Sequence, residues 1–131
     1  MTRFVVDASA VLHLASAGVE ASGAHELLAP TLLRSQTLSA LHEAVQRGEI
    51  PADVARDHLT RVGRMPIRLL GDAVLRRRAW DVADRLGWAS TYDAEYVALT
   101  QLQADAFVTL DADLARSVEG IVVTASIEAL R

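Results

Sequence analysis

No cysteine occurs anywhere in the 131 residues. That excludes both a disulfide framework and a thiolate zinc site. Lysine is absent as well: all 13 basic residues are arginine. A phosphotransfer receiver domain needs a lysine near its phosphorylated aspartate, so this absence counts against that class. No G-x-G-x-x-G turn follows any strand, which removes a dinucleotide-binding domain. No apolar run approaches the roughly 20 residues of a membrane span. At the start, Met1-Thr2-Arg3-Phe4-Val5-Val6-Asp7 carries an acid where a signal peptide would keep its apolar stretch. The expectation is a cytoplasmic chain with no membrane contact.

What remains has the size of one domain, residues 1–131, and 51% apolar with 23% charged residues suits a chain that buries a core. A net charge of −4 argues against general binding of polyanions. The arginines are nevertheless unevenly spread: Arg56, Arg61, Arg64, Arg68, Arg76, Arg77, Arg78 and Arg85 crowd one third of the chain. Such a run is either a solvated helical face or a collective holder of RNA phosphates. His13, His25, His42 and His58 form no close metal-binding pair and read as ordinary polar or helix-surface positions.

Hydrophobic patterning alternates strands with helices. Phe4-Val5-Val6 is a strand that turns at Asp7 directly into a helix over Ala8 to Ala15. Ser16 to Gly23 reads as loop, and Glu26 to Ala29 as a strand stopped by Pro30, which suits the first turn of the next helix. Helices follow over Thr31 to Arg47, with Gly48 as cap, and over Ala52 to Val62. Ile67 to Leu70 is a third strand. Asp72 caps a helix reaching Leu86, with Val74, Leu75, Trp80, Val82, Ala83 and Leu86 on or near its buried side. Tyr92 to Gln103 is another helix, with Tyr96, Val97, Leu99, Thr100 and Leu102 on its buried face. Ala106 to Leu110 is the fourth strand, Leu114 to Val118 a short helix, Ile121 to Val123 the last strand, and a small helix starts at Ser126. This order means an α/β domain with a central parallel sheet and helices on both faces.

Three acidic segments stand out against that frame: Val5-Val6-Asp7-Ala8-Ser9, Thr91-Tyr92-Asp93-Ala94-Glu95-Tyr96 and Val108-Thr109-Leu110-Asp111-Ala112-Asp113. In an open parallel sheet the ligand crevice lies outside the carboxyl ends of the strands. Asp7 and Asp111 occupy such ends, and Asp93 enters from a helix start. Each alone has an ordinary explanation, because turns favour Asp and a helix dipole favours an acid in its first turn. Together they repel unless a divalent cation neutralises them, which points to Mg²⁺ or Mn²⁺ and phosphate chemistry. Ser9 and Thr109 flank the same edge, as helix caps or as hydroxyls that orient carboxylates and waters.

Val5 to Leu12, Ala29-Pro30 leading into Leu33-Arg34-Ser35, Tyr92 to Leu99, and Val108 to Asp111 resemble, in order and over nearly the whole chain, the successive motifs of PIN-domain ribonucleases. The VapC-type toxins of bacterial toxin–antitoxin pairs are the most similar group, and the tyrosine-aspartate-alanine helix start is the most specific element. The resemblance implies a three-layer α/β/α domain that cleaves RNA with Mg²⁺ or Mn²⁺, forms a homodimer and is inhibited by a small antitoxin. It also implies that Asp7, Asp93 and Asp111 are metal-binding acids and that Asp113 is a less regular additional one. The chain departs from the pattern at Gln36, where the family carries a Glu on the helix after the second strand. An amide oxygen brings no charge and cannot act as a base. Glu43, seven residues further, lies about 10 Å along the helix axis and is a poor substitute. A non-catalytic PIN-like module that binds RNA, with Gln36 as the mark of a decayed site, is therefore the alternative to an active nuclease.

Overall fold

The computed structural model describes all 131 residues, Met1 to Arg131. Five strands form one sheet in the order β3-β2-β1-β4-β5, every neighbouring pair parallel. They are β1 (Thr2–Val6), β2 (His25–Pro30), β3 (Ile67–Leu70), β4 (Ala106–Val108) and β5 (Thr124–Ala125). The helices are α1 (Ala8–Ala17), α2 (Leu32–Gln46), α3 (Ala52–Arg64), α4 (Ala73–Leu86), α5 (Tyr92–Gln103) and α6 (Ala112–Ser117), with a 3₁₀ turn over Ile127–Leu130. The architecture is three-layered, α/β/α. Parallel strands require crossovers, and right-handed crossovers place α1, α2 and α3 on one face while the return from β3 to β4 carries α4 and α5 over the other. No helix is long and apolar enough to cross a membrane.

The central strands are continuous apolar runs because both their faces are covered. Val5, Val6, Leu28, Phe107 and Val108 are fully buried, and Tyr96, Val97 and Leu99 of α5 close over them. Burying a side chain such as Phe107 contributes about 1.5–3 kcal/mol. Caps fix where the helices begin and end. Asp72 Oδ1 accepts the Leu75 N–H at 2.9 Å, and Gly87 follows α4 with φ +70°, a left-handed turn that a side chain would strain.

Apart from shifts of one or two residues at element ends, such as α1 running to Ala17 into the segment read as loop, four details differ from the sequence expectations. Pro30 ends β2 rather than opening α2: it lies beyond the last β1–β2 pair, so its missing N–H leaves no bond of that ladder unmade, and Thr31 caps the helix instead. On α4 the buried stripe is Leu75, Ala79, Val82 and Ala83, whereas Val74 and Trp80 are 52% and 66% exposed. Small Ala79 and Ala83 suit close packing on α5 beside Leu75 and Val82, and Val74 and Trp80 point away. The last strand is Thr124–Ala125, because Ile121 and Val122 turn sideways after Gly120 to pack on the core. Finally, β4 stops at Val108, and α6 starts at Ala112 with Asp111 as its cap.

Candidate functional site

The order of the strands puts a switch point between β1 and β4. From β1 the chain moves outward to β2 and β3; it then returns over the sheet to β4 on the other side. A crevice opens at the carboxyl ends of such a strand pair, and the Asp7 N–H, donating to the Val108 carbonyl at 3.3 Å, holds its two walls together.

Asp7 is 8% exposed and caps α1: its Oδ1 accepts the Ala10 N–H at 3.0 Å and the Ser9 hydroxyl at 2.6 Å. Ser9 Oγ in turn accepts the Leu110 N–H at 2.9 Å and lies 3.4 Å from Thr109 Oγ1, which accepts the Asp111 N–H at 3.1 Å. With the Ser9 proton committed to Asp7, Thr109 is the donor between the two hydroxyls. A relay thus runs from the Asp111 backbone through Thr109 and Ser9 to the Asp7 carboxylate. Asp111 caps α6, its Oδ1 accepting the Asp113 and Leu114 N–H groups at 3.0 and 3.1 Å. Each of these two caps uses one carboxylate oxygen and leaves the second without a protein partner.

Asp93 differs. It sits in the first turn of α5 and makes no hydrogen bond, and none of Asp7, Asp93 and Asp111 forms an ion pair. Partial withdrawal from water, then the negative charges of Asp7 and Asp111, push its carboxyl above the usual aspartate range. Asp93 is therefore close enough to both Asp7 and Asp111 to be repelled by them. Asp113 is not part of this group: it is open to solvent, pairs with Arg116, and is not among the charges acting on Asp93.

Sequence patterning placed Tyr96 only in the core. It is buried, but its hydroxyl donates to Gln36 Oε1 at 2.5 Å. Burial, followed by the charges of Asp7, Glu95 and Asp93, holds its phenol far above the ordinary value. Tyr96 thus links α2 to the acidic group. The available signal was its position three residues after Asp93, on the same side of the helix. Glu95, one residue before it, is raised chiefly by burial, against the opposing charge of Arg76.

The chain matches no protein-family model and no curated protein. Its fold is similar to the crystal structure of PAE2754 from Pyrobaculum aerophilum, with a TM-score of 0.73 and 24% identity, covering 98% of this chain and 93% of that one. At that identity the likeness speaks for the fold alone.

The arginine-rich third of the chain does not form one surface. Arg61 on α3 pairs with Asp57 and donates to the Ala15 carbonyl at 2.9 Å, and Arg68 pairs with Glu26. Arg76, Arg77 and Arg78 lie on α4, across the sheet from α3. His25, half-buried, packs its ring edge-on against Phe4 at 5.1 Å.

As donors, Asp7, Asp93 and Asp111 offer only carboxylate oxygen, which suits a hard cation and not zinc or copper. No three acidic or histidine side chains are close enough to form a ready-made cage. A hydrated Mg²⁺ does not need one, since it keeps several waters and takes one or two carboxylates directly. The residues present fit that ion.

Proposed function

We propose that the chain is a metal-dependent endoribonuclease of the PIN type, hydrolysing RNA phosphodiester bonds with Mg²⁺ or Mn²⁺. The observation that carries this reading is Asp93 at the switch point, repelled by the charges of both Asp7 and Asp111, with no protein cation paired to any of the three. One or two of Asp7, Asp93 and Asp111 would hold the ion directly and the remainder through its waters. When bound, it supplies charge neutralisation at a phosphoryl oxygen and a water of lowered pKa. The chain's own groups do the rest: the Ser9 hydroxyl, backed by Thr109, fixes the Asp7 carboxylate, and Tyr96 holds the Gln36 amide oxygen. The companion proposals are an enzyme acting in the cytoplasm as a homodimer, silenced by a small antitoxin protein.

Incubation with a mixed-sequence single-stranded RNA and Mn²⁺ tests the reading. Cleavage by the parent, lost on adding chelator and lost in both Asp7→Asn and Asp93→Asn, is the expected result. Activity that survives either substitution refutes the site.

One observation favours a second reading. The Gln36 amide oxygen is engaged by a phenol at 2.5 Å and adds no charge to the pocket. A PIN-like module that binds RNA without cutting it would keep this arrangement. RNA binding by the parent, with no Mn²⁺-dependent cleavage until Gln36→Glu is introduced, is the result that selects it.

A further inference from the structure

We propose that the cleft between α4 and α5 is a subsite for single-stranded nucleic acid, holding a base on Trp80 and backbone phosphates on Arg76 and Arg77. The inference rests on the nuclease reading and deepens it, by naming where the strand is held before it meets the acids.

The cleft encloses about 560 Å³ and is lined by Ala73, Arg76, Arg77, Trp80, Thr91 and Glu95, among others. That volume falls within the range of small-ligand sites, roughly 300–1,000 Å³. Trp80 is 66% exposed, while its neighbour Ala79 carries the packing of the helix. The fold therefore gives this large aromatic ring no burial role. Its two basic neighbours are equally unemployed. Arg3, Arg47, Arg61, Arg68, Arg116 and Arg131 each pair with an acid, but Arg76 and Arg77 make neither an ion pair nor a hydrogen bond. Two guanidiniums face one carboxylate, that of Glu95, so the lining is positive in a chain of net charge −4.

An exposed aromatic face beside unpaired arginines is the combination that holds a single strand: the bases stack without regard to sequence, and the cations track the phosphates. Bases in a duplex already stack on each other and offer no free face. Position adds the link to chemistry. Thr91 and Glu95 line the cleft and bracket Asp93 on the first turn of α5, so a strand passing over that helix end meets the carboxylates within about one helical turn of 5.4 Å.

Trp88→Phe leaves Trp80 as the sole tryptophan of the chain. In this background, an octameric single-stranded oligoribonucleotide titrated into chelator-containing buffer is expected to quench the fluorescence, and a duplex of the same composition to bind at least tenfold more weakly. In the otherwise native chain, Trp80→Ala should weaken the octamer about tenfold or more. Arg76→Gln with Arg77→Gln should flatten the slope of log affinity against log salt by about 1.4, two phosphates at 0.7 each. All three positions are exposed, so thermal unfolding of these variants should match the parent. Absence of quenching, or parent-like affinity in both variants, overturns the subsite. Cleavage with an unchanged KM in Trp80→Ala removes the subsite and keeps the nuclease; quenching and salt slope as stated, without cleavage, keep the subsite and remove the nuclease.

Discussion

Asp93→Asn should stabilise the metal-free protein at neutral pH, the opposite of what loss of a structural acid does. The folded pKa of Asp93 lies above its ordinary value, so ionising it opposes folding. Below about pH 4, the ordinary aspartate value, the carboxyl is protonated in both states and the effect is absent; it grows as the pH rises through the folded value. Asp93 is exposed as a residue and water screens the repulsion, so the effect belongs with those of exposed charge pairs, roughly 0.5 kcal/mol. In a domain of this size that is about 2 °C in Tm. Metal should reverse the order. For an affinity of about 1 mM, 10 mM Mg²⁺ adds about 1.4 kcal/mol to the parent, and the variant, lacking one ligand, gains less. Circular dichroism melts at pH 4 and pH 7.5, with chelator and with 10 mM Mg²⁺, read all four conditions. A variant less stable than the parent at pH 7.5 in chelator, or an order that Mg²⁺ leaves unchanged, refutes the account of three repelling acids awaiting a cation.

Two further outcomes follow from the same group of charges. Gln36→Glu places a fourth carboxylate beside Tyr96, so it should lower Tm in chelator yet tighten Mn²⁺ and raise RNA cleavage; equal cleavage by the two proteins across a Mn²⁺ titration counts against it. A bound antitoxin that inserts an arginine among Asp7, Asp93 and Asp111 should weaken Mn²⁺ binding by the factor by which Mn²⁺ weakens the antitoxin; calorimetry giving the same Mn²⁺ affinity for complex and free chain removes that mode of inhibition.

The three-layer α/β/α fold was legible in the sequence wherever apolar residues ran together. Phe4-Val5-Val6 and Ala106-Phe107-Val108 are buried on both faces and carry no other pattern. A two-residue strand such as Thr124–Ala125 has too few positions for any period, and the more apolar Ile121-Val122-Val123 drew the assignment to itself. On α4, size misled. Trp80 was expected on or near the buried side, whereas the stripe is completed by Ala79 and Ala83 beside Leu75 and Val82, and the smallness of the alanines is useful only in the presence of a close partner that the sequence does not display. The placing of Asp7 and Asp111 at one edge was legible because topology gathers strand ends, whereas Asp93 reaches them from the first turn of a helix. The Tyr96–Gln36 contact was not, since it joins residues 60 positions apart on different elements.

Among the acids, Asp93 bears the most weight, and the reason is negative. Asp7 and Asp111 each cap a helix, work that alone is worth about 0.5–2 kcal/mol and would justify an aspartate in a protein with no activity at all. Asp93 also has an ordinary explanation available, since a negative charge in the first turn of α5 benefits from the helix dipole by about 0.3–1 kcal/mol. A carboxyl that gained from the dipole would ionise more readily than usual, whereas Asp93 ionises less readily, with burial and the charges of Asp7 and Asp111 as the causes. The local benefit is outweighed by the company it keeps. Under the proposed reading, a cation shared with Asp7 and Asp111 would explain an aspartate that caps nothing, pairs with nothing and is repelled by two neighbours.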